Sequence, residues 1–235
     1  MLEPSSCHPR AIDLMEEASA CLDSTAGLVR AATAIAVHLQ PALRPQELER
    51  TIAAYADAVA ARIPRIASGP RPLPAHDVEI AMAHLHFVLF EQAGFTGNTA
   101  AYYDPRNSLL HEVLARRLGI PISLALVYKA VGELVGLRIH GVDTPLHFLV
   151  EVETDGRRTF VDPFGGGRLL WEEEVTAAAA RCTGQPAGEV LIRRADHRAW
   201  VARMIRNLEA IFANAGRTVD LRAMQELASV AGLRV

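Results

Sequence analysis

Apolar positions recur at helical spacing along most of the chain, and the period shortens to two over a single stretch. Across 11–39, IDLMEEASACLDSTAGLVRAATAIAVHLQ, the pattern predicts helix, with Asp23–Thr25 and Gly27 as a candidate break. A second helix is expected over 45–64, where Pro45 fits a first helical turn and Pro64 closes the segment. SGPRPLPAH, 68–76, carries three prolines and a glycine and reads as a loop. Helical spacing returns in DVEIAMAHLHFVLFEQ, 77–92, and breaks in GFTGNTAAYYDPRNS, 94–108. Asn107 or Ser108 is placed to cap the next helix, which is expected to stop at Gly119.

IPISLALVYKAVGELVG, 120–136, has almost no polar face before Lys129, and a helix apolar on nearly all sides belongs at the centre of a fold. Alternation then takes over. A strand begins at Arg138–Gly141, Pro145 interrupts, and HFLVEVE and RTFVD flank Asp155-Gly156, a strong hairpin signal. A two-residue turn there sets Glu151 opposite Phe160 and Leu149 opposite Asp162. His147, Leu149, Glu151, Phe160, Asp162 and Phe164 then share one face, while Phe148, Val150, Val152 and Val161 cover the other. A slip of one residue would undo the alignment. WEEEVTAAAARC, closed by Gly184, reads as helix, as do 198–215 and 218–231, which meet at Gly216-Arg217 as an αα-hairpin. Helices, a small antiparallel sheet, then helices again make the fold class α+β.

Half of the residues are hydrophobic but only 6% are aromatic, so the core must be built from Leu, Val, Ile and Ala. Abundant alanine strengthens the helical expectation. The net charge of -3 hides an asymmetry: residues 181–235 hold nine Lys/Arg against five Asp/Glu. That end suits an acidic partner or a plain solvated face. No basic run, zinc-finger spacing or aromatic–basic interleaving signals nucleic acid. Cys7, Cys21 and Cys182 form no CxxC pair, which argues against a disulfide framework and a cysteine-rich zinc site. MLEPSSCHPR lacks the basic start and apolar core of a signal peptide, and no apolar run reaches 18 residues. A cytoplasmic chain without membrane span or cofactor is the expectation.

His147 and Asp162 become diagonal neighbours in this register, within side-chain reach. A carboxylate beside an imidazole fixes the ring tautomer and stabilises the imidazolium formed on proton uptake. Ser123, at the start of the central helix, is the candidate nucleophile, although Ser108 and Thr144 are of equally suitable type. Three structural alternatives stand beside this chemistry. Ser123 is suited to a first-turn cap, His147 and Asp162 to a buried pair fixing the hairpin, and a metal site with His140 lacks a convincing further ligand. Asn98 and Asn107 fit either ligand orientation or turn stabilisation, and Tyr102 and Tyr103 either a groove wall or packing. Glu91 is a candidate hydrogen-bond partner of Asn107. Gly165–Gly167 lacks the phosphate-loop signature and reads as a flexible turn that lets the strand leave the site.

The block from FEQAGFTGNTAAYYDPRNSLLHEVLARRLGIPISLALVY through DTPLHFLVEV to FVDPFGGGRLL resembles the transglutaminase-like core of a bacterial family. That branch carries the historical label of invasion-gene regulator, Sir-B type. The likeness covers about 84–232 and is specific over 87–170. It implies a papain-like fold, with a cysteine opening the central helix, a histidine on a following strand and an aspartate on the next. These positions fall at Ser123, His147 and Asp162, so serine stands where the superfamily has its thiol; members of this branch commonly lack the cysteine. Leu146 replaces the glycine usual before the histidine. Gln92, or backbone N–H groups near Ile122–Leu124, would supply oxyanion contacts. MIRNLEAIF, 204–212, resembles the opening of the tetratricopeptide-like helices that follow the core in this branch, here in shortened form. The implied organisation is a helical region over 1–74, the core over 75–183 and a C-terminal helical hairpin over 184–235. Two functions follow. One is a non-catalytic regulatory or protein-interaction protein, with a partner on the C-terminal helices. The other is a serine-dependent hydrolase or acyl-transfer enzyme using Ser123, His147 and Asp162.

Overall fold

The computed structural model describes residues 5–64, 73–145, 147–154, 158–186 and 189–233. The long first pattern divides into α1 (Pro9–Ser19) and α2 (Thr25–Leu39), with Ser24 Oγ accepting the Gly27 N–H at 3.0 Å as the cap of α2. Next comes α3 (Pro45–Arg62), opened by Pro45 as expected. Most of the proline-rich 68–76 segment lies outside the described residues. The following α4 (Ala75–His86) continues into a π-helical turn, Phe87–Gln92.

The loop after it is more ordered than its glycines and asparagines suggest. Strand β1 (Thr96–Gly97) pairs in parallel with β2 (Leu118–Gly119), and a 3₁₀ turn, Pro105–Ser108, precedes α5 (Leu110–Arg116). The capping expectation needs correcting here. Leu109 is the N-cap of α5, because Asn107 and Ser108 are already held inside the 3₁₀ turn. The helix also stops before Gly119. Arg117 takes a left-handed conformation, φ 59°, and its carbonyl accepts the Thr96 N–H at 3.0 Å, which leaves Gly119 free to pair with Gly97.

Every residue of α6 (Pro121–Leu134) from Pro121 to Gly132 is buried, including Ser123 and Lys129. The Lys129 ammonium is satisfied by Glu133 and the Ile139 carbonyl, as a buried charge must be. Around this helix pack α2, α3 and a five-stranded antiparallel sheet. Its strands are β3 (Ile139–Thr144), β4 (His147–Glu153), β5 (Arg158–Asp162), β6 (Arg168–Leu170) and β7 (Arg194–Ala195), in the order β6-β5-β4-β3-β7.

Glu151 stands opposite Phe160, the register expected from a two-residue turn, although the Asp155-Gly156 turn and Leu146 lie outside the described residues. Phe148, Val150, Val152 and Val161 enter the main core, while Leu149 and Phe160 join Val142 and Val175 in a second cluster. Val175 belongs to α7 (Glu172–Thr183), which covers that face and ends at Gly184 in the left-handed region. The glycine triplet is a turn, as expected, and it carries the chain into the next strand of the same sheet. Gly166 and Gly167 both have positive φ, and the turn returns the chain as β6, with Arg168 opposite Asp162.

The last two helices, α8 (His197–Asn214) and α9 (Thr218–Val230), turn on Gly216 at φ 67°. Trp200, Ile205, Leu208 and Phe212 of α8 are fully buried, and one hydrophobic cluster runs from Cys7 to Ala231. The Glu226 carboxylate on α9 accepts the backbone N–H groups of Ser6 at 2.8 Å and Cys7 at 3.1 Å, tying the two ends of the chain together.

His86 lies against Tyr128 Oη at 2.9 Å, and burial pushes its pKa down from 6.5 to about 4. The unfolded chain therefore takes up a proton that the folded ring refuses until about pH 4. Stability from the neutral ring is complete above pH 6.5 and drains away as pH falls toward about 4. Urea unfolding between pH 7 and pH 4 should show a shallower loss of stability in His86→Gln than in the wild type.

Candidate functional site

The β3–β4 turn carries His147 at the start of β4, and Asp162 closes β5. Their side chains meet: His147 Nε2 lies 2.9 Å from Asp162 Oδ1. The same oxygen accepts the Phe164 N–H at 3.0 Å, which fixes the carboxylate and makes Oδ1 an acceptor. His147 must then donate from Nε2, leaving the Nδ1 lone pair as the basic nitrogen. Nδ1 has no hydrogen-bond partner among the described residues. Gly165 protects the arrangement, since a Cβ there would lie 2.9 Å from Asp162 Oδ2. Phe164 packs edge-on against the His147 ring at 6.0 Å between centroids, and Tyr102 packs edge-on against Phe164 at the same spacing.

No hydrogen bond among the described residues joins Ser123 to this pair. Its residue is 1% exposed, and Oγ donates to the Asn107 carbonyl at 2.6 Å while accepting the Ile120 N–H at 3.1 Å. The second contact is a helix-cap bond reaching back from the first turn of α6. Gly119 makes room for it, because a Cβ there would sit 2.7 Å from Oγ. The serine thus stitches α6 to the 3₁₀ turn.

The remaining candidates divide. Asn98 Nδ2 donates to Asn107 Oδ1 at 3.0 Å, and Asn107 Nδ2 donates to the carbonyls of Ala101 and Tyr102, so this buried amide pair builds the loop. Glu91 is exposed and makes no bond to Asn107, whose polar atoms are filled by these neighbours and by Arg116. Gln92 is also exposed on the π-helical turn, and Tyr103, 78% exposed, touches only its neighbour Tyr102 among aromatic rings. The metal alternative loses His140, whose Nε2 lies 2.8 Å from Glu153 Oε1. Among the described residues no three His, Cys, Asp or Glu gather as a metal site. Glu151 shares the His147 face but is held by Arg158 and Arg194. Burial pushes its carboxyl up, and the bonds from Arg194 and Arg158 override this and hold it below the ordinary carboxylate range.

The His147–Asp162 pair opens into a cleft of about 620 Å³ between the sheet and α7. Leu149, Leu170, Val175 and Ala178 give it an apolar floor, and Arg168, Glu173, Arg181 and Cys182 supply polar groups. Sequence reasoning had not placed Arg181 or Cys182 here; only the packing of α7 on the sheet brings them in. It also missed Arg203 of α8. That guanidinium pairs with Asp143, donates Nη1 to the Thr144 carbonyl at 3.2 Å and lies over the Phe148 ring.

A central buried helix beside an antiparallel sheet, with an oriented histidine–aspartate pair on consecutive strands, defines a transglutaminase-like α+β domain. The chain belongs to the Transglutaminase-like superfamily, whose pattern matches residues 46–206. It is 34% identical over 200 residues to a UPF0162 protein of Xylella fastidiosa (strain Temecula1 / ATCC 700964), a match spanning 83% of this chain and 68% of that protein. A UPF0162 protein of Vibrio cholerae is 35% identical over 80 residues, 34% of this chain and 30% of its own length. F-box only protein 21 of Mus musculus is 36% identical over 98 residues, 38% of this chain and 16% of its own. No solved structure matches.

Ser123→Ala should destabilise the protein by about 1–3 kcal/mol, since it leaves the buried Asn107 carbonyl and Ile120 N–H with only the long 3.4 Å bond between them. Urea denaturation read by circular dichroism measures the loss; an unchanged midpoint would show that the serine has no such structural role.

Proposed function

We propose that this chain is a non-catalytic transglutaminase-like protein, of the Sir-B-type branch, that works by binding rather than by acyl transfer. One observation carries the reading: the hydroxyl at the thiol position, Ser123 Oγ, is buried and engaged by Asn107 and Ile120, so it is not presented to His147 as a nucleophile. A serine hydroxyl needs an aligned general base within hydrogen-bond reach, and His147 lines the α7 cleft with no partner for Nδ1 among the described residues. The recurrence of 98 residues as a small fraction of F-box only protein 21 supports a module that can sit inside a longer chain.

The partner surface in this reading is the C-terminal hairpin, a tetratricopeptide-like element that carries Arg206 and Val219 in solvent. Its positive charge favours an acidic protein partner. Three free thiols suit a reducing cytoplasm. No helix among the described residues is long and apolar enough to cross a membrane.

The competing hydrolase or acyl-transfer reading draws on the fixed tautomer of His147 and the open cleft beside it. A fluorophosphonate probe separates the two. The binding reading expects labelling of the wild type no higher than that of Ser123→Ala or His147→Ala; labelling lost in both variants would establish the enzyme instead. For the partner, deleting 198–235 would strip buried α8 residues from the core, so a charge reversal is the cleaner tool. Arg206→Glu should remove the in-cell cross-links of an acidic partner, and an unchanged cross-link pattern would locate binding elsewhere.

A further inference from the structure

The His147–Asp162 bond depends on where the β3–β4 turn sits, and that turn is held from outside the sheet. Thr144 and His147 face each other across the hairpin, with Thr144 Oγ1 donating to the His147 carbonyl at 3.1 Å. Arg203 then grips the turn from α8. Its Nη1 donates to the Thr144 carbonyl at 3.2 Å, and the guanidinium pairs with Asp143 on the same strand. Beneath it lies Phe148, the residue after His147, with the guanidinium carbon 5.5 Å from the ring centroid. Phe148 is itself packed on Trp200, one turn before Arg203 on α8, at 4.6 Å between centroids. Arg203 therefore meets the residues on both sides of the turn and the aromatic floor under it. A planar guanidinium can bond a carbonyl, pair with a carboxylate and stack at once, which an ammonium cannot.

Nothing else described holds the turn in this way. Thr144 and His147 are the last pair of the β3–β4 ladder, so the backbone pairing holds the turn from one side only. With Asp162 fixed by Phe164 and Gly165, the free variable in the 2.9 Å bond is the position of His147. We propose that Arg203 is a positioning residue for the His147–Asp162 pair, through which the C-terminal hairpin sets the tautomer of the cleft histidine. The proposal rests on the reading that this cleft is the functional centre, but its readout does not. The ring state is visible whether or not the cleft binds or reacts, so a failure here is distinct from a failed probe or cross-linking result.

The test is side-chain ¹⁵N NMR of His147 in the full chain at neutral pH. The wild type should show one tautomer, with the proton on Nε2 and well-separated nitrogen resonances. Arg203→Met should move both resonances toward a tautomer average, and Arg203→Lys, which keeps a donor and the charge, should fall between. A folded Arg203→Met protein with wild-type ring resonances would overturn the proposal. Asp143→Asn, at a partly exposed position, serves if Arg203→Met does not fold: it should shift the resonances in the same direction, and an unchanged ring would count equally against the proposal.

Discussion

A helix with no solvent face dictates most of what this molecule can be. Twelve consecutive residues of α6 are buried, so each side of the helix must be covered by something that brings its own apolar surface. The helices α2 and α3 and the apolar face of the sheet do this, and α8 adds Trp200, whose indole N–H reaches the Ile122 carbonyl at 3.4 Å. The same requirement explains the polar exceptions. Lys129 survives inside only because Glu133 and a backbone carbonyl satisfy it, and Ser123 survives because it closes the opening of the helix.

This constraint gives the candidate site residues different hydrogen-bond partners. His147 and Asp162 sit on the sheet face turned toward α7, where a cleft remains open. Ser123 sits in the first turn of α6, where exclusion of water favours a hydroxyl fully bonded to its surroundings. The pair keeps the geometry of a base and its orienting carboxylate. The serine has become part of the joint between α6 and the 3₁₀ turn.

Much of the fold was legible because its strongest elements are periodic. The two helices before residue 40, the central helix, the terminal hairpin and the Glu151–Phe160 register all follow from spacing and turn residues. The His147–Asp162 contact follows from that register. What escaped the sequence lacks any period. β1, β2 and β7 are two residues long and β6 three, too short for alternation to register. Asn107 looked like a cap because Asn caps helices, yet its amide is captured by Asn98 and the Ala101 and Tyr102 carbonyls. Arg203 lies 56 residues beyond His147 and could not be linked to it by spacing, since tertiary packing alone brings α8 to the turn.

The account stands or falls on where one proton points. A neutron crystal structure would locate it directly, together with the proton on the histidine. The expected map has the Ser123 hydroxyl hydrogen directed at the Asn107 carbonyl oxygen and the His147 hydrogen on Nε2, shared with Asp162. A hydroxyl hydrogen directed instead at His147 Nδ1, with the two heavy atoms about 3 Å apart, would contradict the account and restore a working serine.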